Sequence, residues 1–104
     1  MAEVKVDAKH VPAAVQLGVG DTLVISLQEN PTTGYRWQAS AGNHLVPSGD
    51  EFLSPRESTM GAGGTRMLKF GVISAGNGEV KLQLRREWET ATPQASIDIK
   101  YQIQ

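Results

Sequence analysis

The sequence contains no cysteine, which excludes a disulfide framework, a thiolate metal cluster and a cysteine nucleophile. A chain of 104 residues can do without such staples, because a domain of this size buries roughly 60–70% of the surface its unfolded form exposes. It is too short for two domains, so residues 1–104 read as one. Histidine is scarce: His10 and His44 are the only two, and they lie far apart without the spacing of metal ligands. There is no excess of positive charge either. Ten Lys and Arg stand scattered against eleven Asp and Glu, for a net charge of −1, without the basic stripe of a nucleic-acid or anionic-membrane binder. No apolar run approaches the roughly 18 residues of a membrane-spanning helix, and the opening Met-Ala-Glu-Val-Lys-Val-Asp lacks the apolar stretch of a secretion signal. The expectation is a domain without metal, cofactor, nucleic-acid or membrane partner, its compartment left open because a leader removed earlier would leave no trace.

A sustained period of 3.6 is also missing, and eleven glycines and five prolines interrupt most windows long enough to show one. What is present is alternation. Leu23, Ile25 and Leu27 share a face, as do Tyr35, Trp37 and Ala39; Leu68, Phe70 and Val72; Val80, Leu82 and Leu84; and Ile97, Ile99, Tyr101 and Ile103. Period two is the mark of strands with one buried and one wet face. Strands are predicted over 4–17 (broken), 22–28, 35–40, around 51–54, 66–73, 79–85 and 96–104. Trp37, in phase within its strand, is expected to be a central core residue. About seven strands at regular spacing favour an all-β fold, an immunoglobulin-like antiparallel β-sandwich.

If consecutive strands run up and down, alternate connections emerge at the same end. One end then carries Gly18–Asp21, Gly42–Leu45 and Ala75–Gly78, which is plain turn chemistry, with Asn77-Gly78 a hairpin dipeptide. The other carries Glu29–Gly34, Ser58–Thr65 and Arg86–Thr90. Within Asn30-Pro31-Thr32-Thr33-Gly34, the Asn30 side chain can bond the backbone two residues on, and Pro31 fixes its own φ and restricts Asn30. Thr32 and Thr33 are β-branched and stiff, and Gly34 supplies a positive φ where a turn requires one. Such a segment makes a rigid protrusion with hydroxyls at its tip, although an ordinary strand connection uses the same residues. Gly61-Ala62-Gly63-Gly64 lacks the Lys-Ser/Thr and the strand-then-helix setting of a phosphate loop. It reads as a backbone open to close approach or as a plain surface loop. Trp88, between Glu87 and Glu89, either folds back on the core or faces a partner.

Catalysis finds no footing. Ser, His and Asp occur without a strained nucleophile motif, and ordinary surface solvation accounts for the carboxylate pairs Asp50-Glu51 and Glu87/Glu89. The chain reads as a non-enzyme.

The three segments together, Asn30-Pro-Thr-Thr-Gly34, Gly61-Ala-Gly-Gly64 and Arg86-Glu-Trp88, resemble the signature motifs of the chagasin family, proteinaceous inhibitors of papain-like cysteine peptidases. The family pattern is N-P-T-T-G, G-x-G-G and R-x-W, usually R-P-W. The first two match in full, the third in part, and the resemblance runs from about residue 15 to the end of the chain. It implies a sandwich presenting three loops as a wedge, binding one papain-like or cathepsin L-like enzyme per monomer, reversibly and competitively. Thr32 and Thr33 would lie at the centre of the active-site cleft, with Asn30, Pro31 and Gly34 shaping the loop. Gly61, Ala62, Gly63 and Gly64 would admit close backbone approach on one side, while Arg86, Glu87 and Trp88 grip the other. Glu87 departs from the usual proline, which loosens that loop and adds a charge. The alternative is an immunoglobulin-like adhesion or ligand-binding module using the same end for a partner that is not a peptidase.

Overall fold

The computed structural model describes residues 2–30, 34–53, 64–86 and 93–104. Among these the chain forms β1 (Glu3–Asp7), β2 (Val15–Leu17), β3 (Thr22–Glu29), β4 (Tyr35–Ser40), β5 (Leu45–Leu53), β6 (Gly64–Val72), β7 (Gly76–Arg86) and β8 (Ala95–Ile103). They make two four-stranded sheets, β1-β3-β6-β5 and β2-β8-β7-β4. The period-two pattern is what lets them face each other. Leu23, Ile25 and Leu27 of β3 and Leu68, Phe70 and Val72 of β6 meet Val80 and Leu82 of β7 and Ile99, Tyr101 and Ile103 of β8 in one buried cluster. Burial of side chains this size stabilises by roughly 1.5–3 kcal/mol each, which a cysteine-free domain needs from its core.

Three sequence expectations are corrected. The broken strand at 4–17 is two strands in different sheets, β1 parallel to β3 and β2 parallel to β8; the intervening residues carry the chain from one layer to the other. The strand expected around 51–54 begins at Leu45 and runs nine residues. Its alternation is hidden by Pro47 and by a register shift between Pro47 and Gly49, features that an edge strand tolerates. Asn77-Gly78 is not a turn: both residues lie inside β7, opposite Gln102 and Tyr101. A Cβ on Gly78 would stand 2.6 Å from the Tyr101 hydroxyl, so this glycine makes room for the tyrosine. Burial raises the pKa of that hydroxyl, and it shares a 3.2 Å hydrogen bond with His44 Nδ1.

Trp37 is also displaced from its expected place. It is half-buried against the edge of the core cluster rather than central to it, and its indole N–H donates to the Gln28 carbonyl at 2.8 Å. The centre belongs instead to Leu23, Ile25, Leu82, Ile99 and Tyr101, all at most 1% exposed.

At the end of the sandwich where β2 turns into β3, Asp21 gathers the chain. Its carboxylate accepts the main-chain N–H of Ala2 at 3.0 Å and of Gly18 at 2.8 Å, and those bonds hold its pKa below the ordinary 3.8. A lowered folded-state value means the contribution is complete above that pH and is lost as the pH falls below it. Acid unfolding of the wild type and of Asp21→Asn should therefore converge: the wild type is the more stable at neutral pH, and the gap closes as the pH falls below the ordinary 3.8. Parallel urea midpoints from neutral pH down through that value measure it, and a gap independent of pH would discard the assignment.

Candidate functional site

The strand ends at the opposite pole bring the three segments singled out in the sequence together. Glu29, closing β3, stands opposite Gly64, opening β6. Leu53, closing β5, stands opposite Thr65. Tyr35, opening β4, faces Arg86, closing β7, and Ala95, opening β8, faces Leu84. The roots of the 30–34, 54–63 and 87–92 segments therefore share one end, as the up-and-down argument requires. Asn30, Gly34, Gly64 and Arg86 are placed there. Pro31, Thr32, Thr33, Gly61, Ala62, Gly63, Glu87 and Trp88 lie outside the described residues.

Each placed residue has a local reason. Gly34 adopts φ 79°, a left-handed conformation that side chains disfavour, where the chain crosses from one sheet to the other. Gly64 is buried, and a Cβ there would meet the Leu53 carbonyl at 2.5 Å and Phe52 Cζ at 2.6 Å. Its missing side chain thus admits the neighbouring strand. The Arg86 guanidinium lies 4.5 Å from the centre of the Tyr35 ring, a cation–π contact that joins the exit of the first segment to the start of the third. Gly64→Ala is expected to destabilise by about 1–3 kcal/mol, because the nearest obstacle is backbone and cannot swing aside. A urea midpoint that drops at constant slope would show it, whereas an unchanged midpoint would mean that β5 shifts freely.

Beneath these roots lies a polar group that the sequence reading passed over. Glu29 is the one buried charged side chain among the described residues, 3% exposed. Its carboxylate accepts from Arg66 Nη2 at 2.6 Å and from Arg66 Nε at 3.2 and 3.3 Å, and from the main-chain N–H of Trp37 at 3.1 Å. Arg66 also reaches Asp50 at 2.8 Å, and its guanidinium lies 5.3 Å from the centre of the Phe52 ring. The hydrogen bond to Glu29 raises the Arg66 pKa further above its already high value, with Asp50 adding to it. The two ion pairs differ in weight. The Asp50 side chain is 61% exposed, and a surface pair of this kind contributes about 0–1 kcal/mol. The Glu29 side chain is 1% exposed, so its charge depends on its partners. Asp50, read from the sequence as ordinary surface charge, is thus a peripheral member of the group, while Glu51 pairs loosely with Lys69 at 3.8 Å. A glutamate followed by Asn-Pro reads as the start of a loop, and its partner stands 37 residues away, so no local signal could have found the pair.

Elsewhere the surface offers little. A depression of about 490 Å³ lies beside Ala13, Ala14, Gly78 and Lys100, toward the start of β7 and away from the loop end. Among the described residues no group of three or more His, Asp or Glu side chains is placed to hold a metal ion.

Comparison with known proteins gives a consistent picture. The family model described as "Chagasin family peptidase inhibitor I42" matches residues 16–103. Chagasin from Trypanosoma cruzi is 32% identical over 90 residues, covering 81% of this chain and 82% of that protein. The crystal structure of the cysteine protease inhibitor EhICP2 from Entamoeba histolytica superposes with a TM-score of 0.86 at 23% identity, over 99% of this chain and 96% of that one. PbICP-C, solved in complex with falcipain-2, superposes with a TM-score of 0.68 at 13% identity over 100% of both chains. At such identities these two structural likenesses establish the shared fold.

Proposed function

The chain belongs to the chagasin family of peptidase inhibitors, and from that premise we propose that it is a reversible, competitive inhibitor of papain-like cysteine peptidases. It acts as a monomer that binds one enzyme molecule. Thr32 and Thr33 enter the active-site cleft on a loop shaped by Asn30, Pro31 and Gly34. Gly61, Ala62 and Gly63 lie against one wall, on a segment rooted at the buried Gly64, and Arg86, Glu87 and Trp88 against the other. The observation that carries the reading is the joining of the three segment roots at one end, through Glu29 opposite Gly64 and Tyr35 opposite Arg86. The shared roots support a reading in which three signature segments far apart in sequence act together. The relatives agree in kind: EhICP2 is described as a cysteine protease inhibitor, and PbICP-C was captured on falcipain-2.

The chemistry suits the task. An inhibitor must fill a cleft without being cut, and rigidity lowers the entropy lost on binding. Proline, β-branched threonines and a sandwich scaffold supply it. With no cysteine, the inhibitor cannot form a disulfide with the enzyme's thiol, and the proposed mode of binding needs no covalent bond. A standard interface of about 800 Å² per partner is within the reach of three loops at one end.

The test is steady-state inhibition of papain and a cathepsin L-like enzyme, with a serine protease as control and the inhibitor checked for cleavage afterwards. Nanomolar, competitive, reversible inhibition of the two cysteine enzymes by an intact inhibitor is expected. No inhibition at micromolar concentration by the folded protein would overturn the reading and favour an adhesion or ligand-binding module. Within the same assay, Glu87→Pro should tighten binding by restoring the stiffness that the family's usual proline gives. Unchanged inhibition constants across several papain-like enzymes would remove that role for Glu87.

A further inference from the structure

Glu29 belongs to none of the three motifs, yet its carboxylate sits where two of their roots meet. We infer that Glu29, clamped by Arg66 and in turn holding the main chain of Trp37, is a positioning residue that sets the 30–34 segment for insertion into a peptidase cleft; the inference rests on the inhibitory reading above. That segment leaves one sheet at Glu29 and enters the other at Tyr35, so the placement of its two roots follows from how the two layers are fixed at that point. Among the described residues two bonds help to fix them: the Trp37 main-chain N–H to Glu29 at 3.1 Å, and the Trp37 indole N–H to the Gln28 carbonyl at 2.8 Å.

The register shows why the first bond is available. Trp37 stands opposite Leu84, and the Leu84 carbonyl accepts from Gln94 at 2.8 Å, on the β8 side. Trp37 therefore turns its N–H away from β7, toward the other sheet. Only a carboxylate meets both demands on Glu29. It is acceptor-only, with room for a guanidinium fork and a main-chain N–H together, whereas an amide would present donors to Arg66. Arg66 lies two residues past Gly64 in β6, so the same carboxylate sets the 61–64 segment relative to 30–34. A loop held in its bound shape before encounter loses less on binding, and a displacement of about 1 Å in a positioned group can cost about a hundredfold.

The experiment uses the full chain with Glu29→Gln and Arg66→Lys, each confirmed folded by near-ultraviolet circular dichroism and a urea curve. Two quantities are read: the inhibition constant for papain, and hydrogen exchange at the Trp37 amide. A purely structural role would leave inhibition by the folded variants nearly unchanged, because loss of competent protein lowers apparent affinity only by the fraction lost. Positioning instead predicts that Glu29→Gln weakens inhibition by about tenfold or more, chiefly through faster dissociation. The Trp37 amide should exchange about tenfold faster or more, while those of Val80, Leu82 and Ile99 keep their wild-type rates. Arg66→Lys, which keeps the charge but not the fork, should fall between Glu29→Gln and the wild type. Wild-type inhibition by folded Glu29→Gln would overturn the inference. Failure of the inhibitory reading looks different: the wild-type chain itself then leaves papain untouched. In that case the Trp37 amide decides whether Glu29 clamps the segment, and wild-type exchange in Glu29→Gln overturns the clamp.

Discussion

Arg66→Ala should lower the unfolding free energy by about 3–5 kcal/mol, the cost of leaving a buried charge without its counterion. For a domain with a typical total of about 5–15 kcal/mol, that is a large share of its stability. The expectation follows from burial rather than from the count of contacts. The Glu29 side chain is 1% exposed and has Arg66 as its cationic partner, so among the described residues removing the guanidinium strands a carboxylate with only the Trp37 amide. Asp50→Ala is the internal control. It removes the other Arg66 ion pair, but from a side chain that is 61% exposed, and it should cost no more than about 1 kcal/mol. Urea unfolding of the two variants beside the wild type measures both. An Arg66→Ala loss as small as that of Asp50→Ala would mean that water reaches Glu29 once the arginine is gone.

Trp88→Ala should weaken inhibition of papain by about 2–4 kcal/mol, or about 30- to 900-fold, the range for a tryptophan at the centre of an interface. The sequence left two roles open for this indole, and one variant separates them when stability and inhibition are measured together. A tryptophan folded onto the core would cost about 3–5 kcal/mol of stability on truncation and would leave inhibition by the folded protein largely intact. A tryptophan turned to the enzyme would do the reverse, with the urea midpoint close to wild type. Its place just beyond Arg86, whose guanidinium stacks on Tyr35 at the root of the 30–34 segment, favours the second pattern.

The architecture was legible wherever a strand has one core face and one wet face. Leu23, Ile25 and Leu27, or Ile99, Tyr101 and Ile103, announce themselves because the pleat sends alternate side chains into the same layer. The common end of the three segments was legible for a topological reason, since parity groups alternate connections whatever their composition. Where the reading failed, a tertiary contact overrode a local preference. Asn77-Gly78 is turn chemistry in isolation, but pairing with Gln102 and Tyr101 keeps it in a strand. Leu45–Leu53 lost its alternation to Pro47 and the bulge that accommodates it. Trp37 was in phase for the core but sits at its rim, held by a bond to Gln28. The Glu29–Arg66 pair had no local signature, because a buried charge is recognised by its partner, and the partner comes from another strand.

The position of Trp37 in an outermost strand has a consequence for how molecules of this protein meet one another. β4 borders its sheet on one side only, and a bare strand margin offers its main-chain donors to any extended peptide or neighbouring copy. Here the margin is not bare. The outward-facing main-chain donor of Trp37, at its middle, is already occupied by the Glu29 carboxylate. One proline and one bulge protect β5; β4 is protected by a side chain borrowed from the opposite sheet. With that donor satisfied, β4 offers less to strand-by-strand stacking at the pole where the roots of the three segments meet.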